Sequence, residues 1–222
     1  RTERITFLNK FIGLVIPITL TYIFLTIIRD VRDNFAAEIW KELDQGDSSS
    51  IFVTAEIPVA ISVLLAISLM FLIKNNLKAL QTSVFLVIFG LGVNVVATLA
   101  FNAQLIGGIT WMILVGFGLY LGYITYHAFL FERFIAAFRY VSNVGFIFYI
   151  ADAFGYLGSV STFLLKNFFS PNLQWTSFFG TLTYALSLLG ILLCIITHFA
   201  IIKKHKKLFP LEYYQPKSVT SV

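Results

Sequence analysis

Charged side chains are few in this chain: 12% of its 222 residues, where soluble domains carry roughly 25%. That deficit excludes a water-soluble particle, because too little polar surface remains to coat one. Cysteine occurs once, at Cys194, so no intrachain disulfide can form, and its place within an apolar run reads as packing. Methionine occurs only at Met70 and Met112. The chain opens on Arg1 without a cleavable leader pattern, and it reads as one half of something larger. Long polar stretches are missing too, so no attached soluble domain is expected. Neither an enzyme nor a cofactor is expected: there is no phosphate-cradling glycine loop after a strand, no nucleophile elbow and no metal-ligand spacing of His, Cys and carboxylates. The net charge of +5 sits in loops and tails, which does not point to nucleic acid.

What is present is apolar. The chain is 58% hydrophobic. Long runs cover about 5–28, 51–73, 81–101, 109–131, 140–165 and 176–202. A helix rising ~1.5 Å per residue needs about 20 residues to cross a ~30 Å hydrocarbon layer, and lipid offers no partner for open backbone groups. The runs are continuous, whereas barrel strands alternate over about ten residues. The expected fold is all-α, a single polytopic bundle of six transmembrane helices. Val31, Phe35, Ile39 and Leu43 recur every four residues, so the first helix is expected to continue to about 43. Gly46 and Ser48-Ser49-Ser50 read as the turn that follows.

Six spans put both termini on one side. The segments on that side carry Arg1, Arg4, Lys10, Lys74, Lys78, Arg133, Arg139, Lys203, Lys204, Lys206, Lys207 and Lys217. The opposite side carries Arg29, Arg32, Lys41 and Lys166. The positive-inside bias makes both termini cytoplasmic in an inner membrane. Lys203 to Lys207 abut the last span and suit anionic headgroups of the lipid bilayer.

Charge within the spans is where function is sought. A carboxylate at a helix centre costs ~2.5–3.5 kcal/mol on insertion scales, so Asp152, mid-way along the fifth span, is the strongest candidate. It suits a coupling proton, a cation or a basic partner; a satisfied pair that fixes helix packing fits as well. Tyr149, Asp152, Tyr156 and Ser159 share a face, beside a small-residue ridge of Ala151, Gly155 and Ser159. The second candidate is Arg29-Asp30-Val31-Arg32-Asp33-Asn34. Arg29 and Asp33 are four apart, so they can pair along one face. Arginine's planar fork binds carboxylates and phosphates and stays charged when buried. The cluster suits either an anion site in a cavity or a solvated helix extension. Glu56 lies at similar depth on the second span, as a partner for Arg29 or Arg32. Tyr123 and His127 are further candidates for a cavity wall, although a lone His is more often a packing residue. Gly118 and Gly122 form a small-residue pair for close helix packing. The third and sixth spans, poor in polar residues, are expected to face lipid.

The stretch from Tyr22 through Arg29 to Phe35, followed by Ser49-Ser50 and Glu56, resembles the seventh and eighth helices of the major facilitator superfamily, nearest its organophosphate–phosphate antiporter branch. Phe131-Glu132-Arg133-Phe134-Ile135-Ala136-Ala137-Phe138-Arg139-Tyr140 and Ala151-Asp152-Ala153-Phe154-Gly155-Tyr156-Leu157-Gly158 resemble an uncharacterised bacterial branch of facilitator-like proteins. The resemblance implies that residues 1–222 form the C-terminal six-helix half of a twelve-helix secondary transporter, partnered by an N-terminal six-helix half. It implies a cavity role for Arg29, then Arg32, with Tyr22 on the cavity wall, toward a small anionic or zwitterionic solute. The inner loop Lys74-Asn75-Asn76-Leu77-Lys78 lacks the acid and glycines that facilitators often carry there. A non-transporting scaffold that keeps the fold is the alternative, since Arg29 and Arg32 are balanced by Asp30 and Asp33.

Overall fold

The computed structural model describes residues 2–44, 49–139 and 144–210. All regular structure among them is helical: α1 (Thr2–Asn34), α2 (Ala36–Glu42), α3 (Ser49–Ser68), α4 (Asn76–Asn102), α5 (Gly108–Thr125), α6 (Phe131–Ala137), α7 (Val144–Phe169) and α8 (Trp175–Leu208). A 3₁₀ turn, Leu69–Leu72, ends α3, and a π turn, Tyr126–Leu130, joins α5 to α6. Among the described residues six stretches are long and apolar enough to cross a membrane. Large apolar side chains such as Leu64, Leu72, Phe168 and Phe199 point outward, as lipid permits and water does not.

Several span boundaries differ from expectation: α4 starts at Asn76 rather than 81, α7 ends at Phe169 rather than 165, and α8 runs to Leu208 rather than 202. The first helix breaks at Phe35, yet the ladder carries on: Phe35 N–H donates to Val31 O at 3.1 Å and Ile39 N–H to Phe35 O at 3.0 Å. Val31 and Ile39 are both buried, so the stripe read from sequence does face inward. The fourth span runs to Ala137 rather than 131, because the π turn carries the helix onward into α6. There Phe134 and Phe138 pack with Phe7 and Phe11 at ring separations of 5.0–6.2 Å. Such pairs contribute ~0.5–1.5 kcal/mol each beyond area burial. Expected turn residues Gly46 and Ser48, and the start of the fifth span at 140–143, lie outside the described residues.

α1, α5, α4 and α8 pack into a core, with α3 laid on α5 and α7 on α1. The third span is therefore not a lipid-facing outlier. Of its most apolar window 39% is buried, against 28% for the second span and 22% for the fifth. Without a hydrophobic drive inside lipid, helices associate through close packing of small residues. Gly90 on α4 meets the backbone of Gly118 on α5, and Gly122 lets Leu25 of α1 approach. The ridge on α7 does the same: Gly155 rests on Thr26 and Gly158 on Ile27 and Ile23. The sixth span packs on both α1 and α4 along one face, while Leu192 and Phe199 lie on its exposed one.

At the end opposite the termini, α2 ties down α8. Glu42 accepts from the Trp175 and Thr176 backbone N–H groups at 2.8 and 2.7 Å. It thereby caps a helix start whose own N-cap, Gln174, makes no side-chain bond. Burial pushes the Glu42 carboxyl up, but those N–H donors and Lys166 outweigh it and hold its pKa below the ordinary 4.5. Phe35 stacks on Trp175 at 3.6 Å, and the Lys166 ammonium lies 4.7 Å from the same indole.

Candidate functional site

Three helices bring the polar side chains together. On α1, Tyr22 and Arg29 are two turns apart on one face. On the α5 side, Tyr120, Tyr123 and His127 recur at three- and four-residue spacing, and His127 sits within the π turn. π turns re-aim side chains and concentrate at functional sites. Asp152 comes from α7, held against α1 by the small ridge.

The buried Tyr22 hydroxyl is the hub. It donates to Asp152 Oδ1, and lies 2.9 Å from His127 Nε2 and 3.4 Å from the Tyr123 hydroxyl. The Tyr123 hydroxyl in turn meets Arg29 Nη1, and the Arg29 guanidinium lies 4.4 Å from the Tyr123 ring. Arg29 holds Asp30 through Nε at 2.9 Å and Nη2 at 2.6 Å. One continuous network thus runs Asp30–Arg29–Tyr123–Tyr22–Asp152, with His127 as a branch. Asp152 reaches arginine through two phenols, not by a direct pair. His127 is exposed, and Arg29 and Asp152 are partly so, so the network opens on the face flanked by α3 and α7.

A second group lies further along α1. Arg32 is 2% exposed. Its Nη2 bonds Glu56 Oε1 at 2.7 Å and the Met112 carbonyl at 3.4 Å, while Nη1 stands 3.6 Å from Asp33. Tyr120 donates to both Asp33 oxygens, at 2.7 and 2.9 Å. The Arg29–Asp33 pair that the spacing allows is not made: Asp33 is drawn to Arg32 and Tyr120, and Arg29 turns to Asp30. Arg32 is buried, so the reading of this stretch as a solvated extension does not hold for it, whereas Asp33 and Asn34 beside it are exposed. Gly116 is required beside it, since a Cβ there would stand 2.7 Å from Arg32 Nη2. A cavity of about 300 Å³ adjoins the Glu56 end, between Glu56, Val59, Val63 and Tyr120.

Two expected members stay outside the cluster. The Asn34 amide is spent on its own helix, donating to Asp30 O at 2.8 Å. Tyr149 is 76% exposed and points away. Tyr156 is exposed beside Arg29. The sequence reading passed over Phe148, whose ring lies 4.6 Å from His127 and 5.9 Å from Tyr22, and gave Tyr120 no role. The spacing of Tyr120 with Tyr123 and His127 was the available signal for the latter.

A family model covers nearly the whole of this architecture, matching residues 1–204. The chain belongs to DUF5690, a family of unknown function. No curated protein and no solved structure matches it.

Proposed function

We propose that this DUF5690 chain is one six-helix half of a secondary transporter for a small zwitterionic or anionic solute, working by alternating access. The observation that carries the proposal is the Asp30–Arg29–Tyr123–Tyr22–Asp152 network, part-exposed on a face of an otherwise apolar bundle. Ionisable groups in a membrane protein are costly and mark solute or proton routes. Two guanidiniums, Arg29 and Arg32, stand among four carboxylates, Asp30, Asp33, Glu56 and Asp152. That excess of negative charge favours a zwitterion over a bare phosphate. Arg29 would hold the solute's acid group, and Asp152 its amine or a coupling proton. A second six-helix bundle over the same face would close the crevice, as in carriers where two repeats rock about a midplane site. The resemblance of Tyr22–Phe35 to facilitator helices supports the same reading, as does the charge bias for cytoplasmic termini.

The scaffold reading keeps one observation of its own: both guanidiniums already have carboxylate partners. Thermal shift of the full-length protein against a panel of dipolar and anionic solutes separates the two. Under the carrier reading a solute stabilises wild type, and Arg29→Lys, which keeps the charge but loses the planar fork, folds normally and loses that stabilisation. If no solute stabilises wild type, the scaffold reading stands. In proton-coupled uptake, Asp152→Asn removes the pH dependence; an unchanged profile takes Asp152 out of coupling.

A further inference from the structure

Away from the polar face, positive charge is densest at the end of the bundle that carries both termini. Lys10 from α1 and Lys203, Lys204 and Lys207 from α8 surround an opening of about 270 Å³. Its floor is apolar, made by Phe11, Leu14 and Ala200. The ammonium groups of Lys10 and Lys204 each lie 5.6 Å from the centroid of the same Phe11 ring, so cations from two helices converge on one spot. Among the described residues no carboxylate lines the opening. Gly13 widens its wall, since a Cβ built there meets nothing within 4 Å.

The dipole of α8 accounts for part of this charge. Lys207 lies in the last turn, where free carbonyls attract cations. Lys203 and Lys204 come before that turn, and Lys10 belongs to another helix. Lys203, Lys204 and Lys207 set three like charges about one opening, and an anion among them relieves their repulsion. The neighbouring Ile12, Ile16 and Phe199 face outward, so the pocket stands where the apolar belt gives way to basic residues. That is the level of phospholipid headgroups, and basic pockets between spans at this level suit anionic lipids.

We propose that this pocket binds one anionic phospholipid. Lys203, Lys204 and Lys207 hold its phosphodiester, and the glycerol and first methylenes lie over Phe11 and Leu14 through the notch at Gly13. Soluble phosphate shares the anionic chemistry but has no use for the apolar floor. The site is independent of the carrier reading and survives its failure.

The test uses the purified full-length protein in neutral detergent, with native mass spectrometry and thermal unfolding. The probes are dioleoyl phosphatidylglycerol, dioleoyl phosphatidylcholine and inorganic phosphate. One phosphatidylglycerol should be retained and should stabilise the fold, where phosphatidylcholine and phosphate do neither. The combined Lys203→Gln, Lys204→Gln and Lys207→Gln variant should weaken retention roughly a hundred-fold. Gly13→Leu, which leaves the charge intact and points into open space, should weaken it as well. Equal retention of phosphatidylcholine would overturn the proposal, as would phosphatidylglycerol binding that neither variant changes. Stabilisation by inorganic phosphate alone, lost in the lysine variant, would also overturn it by showing a soluble-anion site.

Discussion

Arg29 and Arg32 lie three residues apart on α1 and do different work. Arg32 is 2% exposed and bonds Glu56 from another helix across a gap left by Gly116. Arg29 has a side-chain exposure of 16%, and its carboxylate partner is its own neighbour, Asp30. A pair that bridges helices fixes their spacing, so it cannot open without moving the bundle. A pair between adjacent residues can exchange its carboxylate for a solute's and leave the helices where they are. Burial and partner origin, rather than residue type, separate a structural guanidinium from an available one.

The contrast breaks most visibly at Arg32. Arg32→Met should lower stability by ~3 kcal/mol, the lower end for breaking a buried pair, because Glu56 is itself 43% exposed and regains solvent. Thermal unfolding in detergent reads this, and a change no larger than for Arg29→Lys would erase the distinction. Gly116→Val should cost about 1–3 kcal/mol by overpacking the seat of Arg32, with Val59 also 3.1 Å from the new Cβ. Glu42→Gln should cost about 0.5–1 kcal/mol at neutral pH, a cap discounted for exposure. Because the folded pKa of Glu42 lies below 4.5, its contribution is full above that pH and lost as pH falls below it. The gap between wild type and Glu42→Gln should therefore close on acidification. Arg29→Lys keeps the charge but gives up part of the fork that bonds Asp30 and Tyr123, so it should cost no more than about 0.5–1 kcal/mol, with its main effect on solute binding.

The six spans were legible because lipid demands long apolar runs and leaves little else to read. The joint at Phe35 and the π turn at Tyr126–Leu130 were not, since neither interrupts hydrophobicity. The third span was misjudged because absence of charge was taken for contact with lipid. Inside a membrane, small residues and amides mark the interior, and Gly90 and Asn94, both buried, carried that signal. Within the site, Arg29 and Asp152 were readable as costly groups in apolar surroundings, and Tyr22 only through the resemblance. Their partners were not. Four-residue spacing suggested Arg29–Asp33, but Tyr120 and Glu56 arrive from other helices, and no local rule reports them.

The central claim is that the face bearing Arg29 and Asp152 borders water rather than acyl chains. Tyr156 on that face and Leu192 on α8 are equally exposed, at 56% and 55%, and the native Cys194 is buried. In the full-length protein in sealed membranes, Tyr156→Cys should react with a charged, membrane-impermeant thiol reagent while Leu192→Cys does not. Equal silence of both positions would mean that the face is dry, and the carrier account would be wrong.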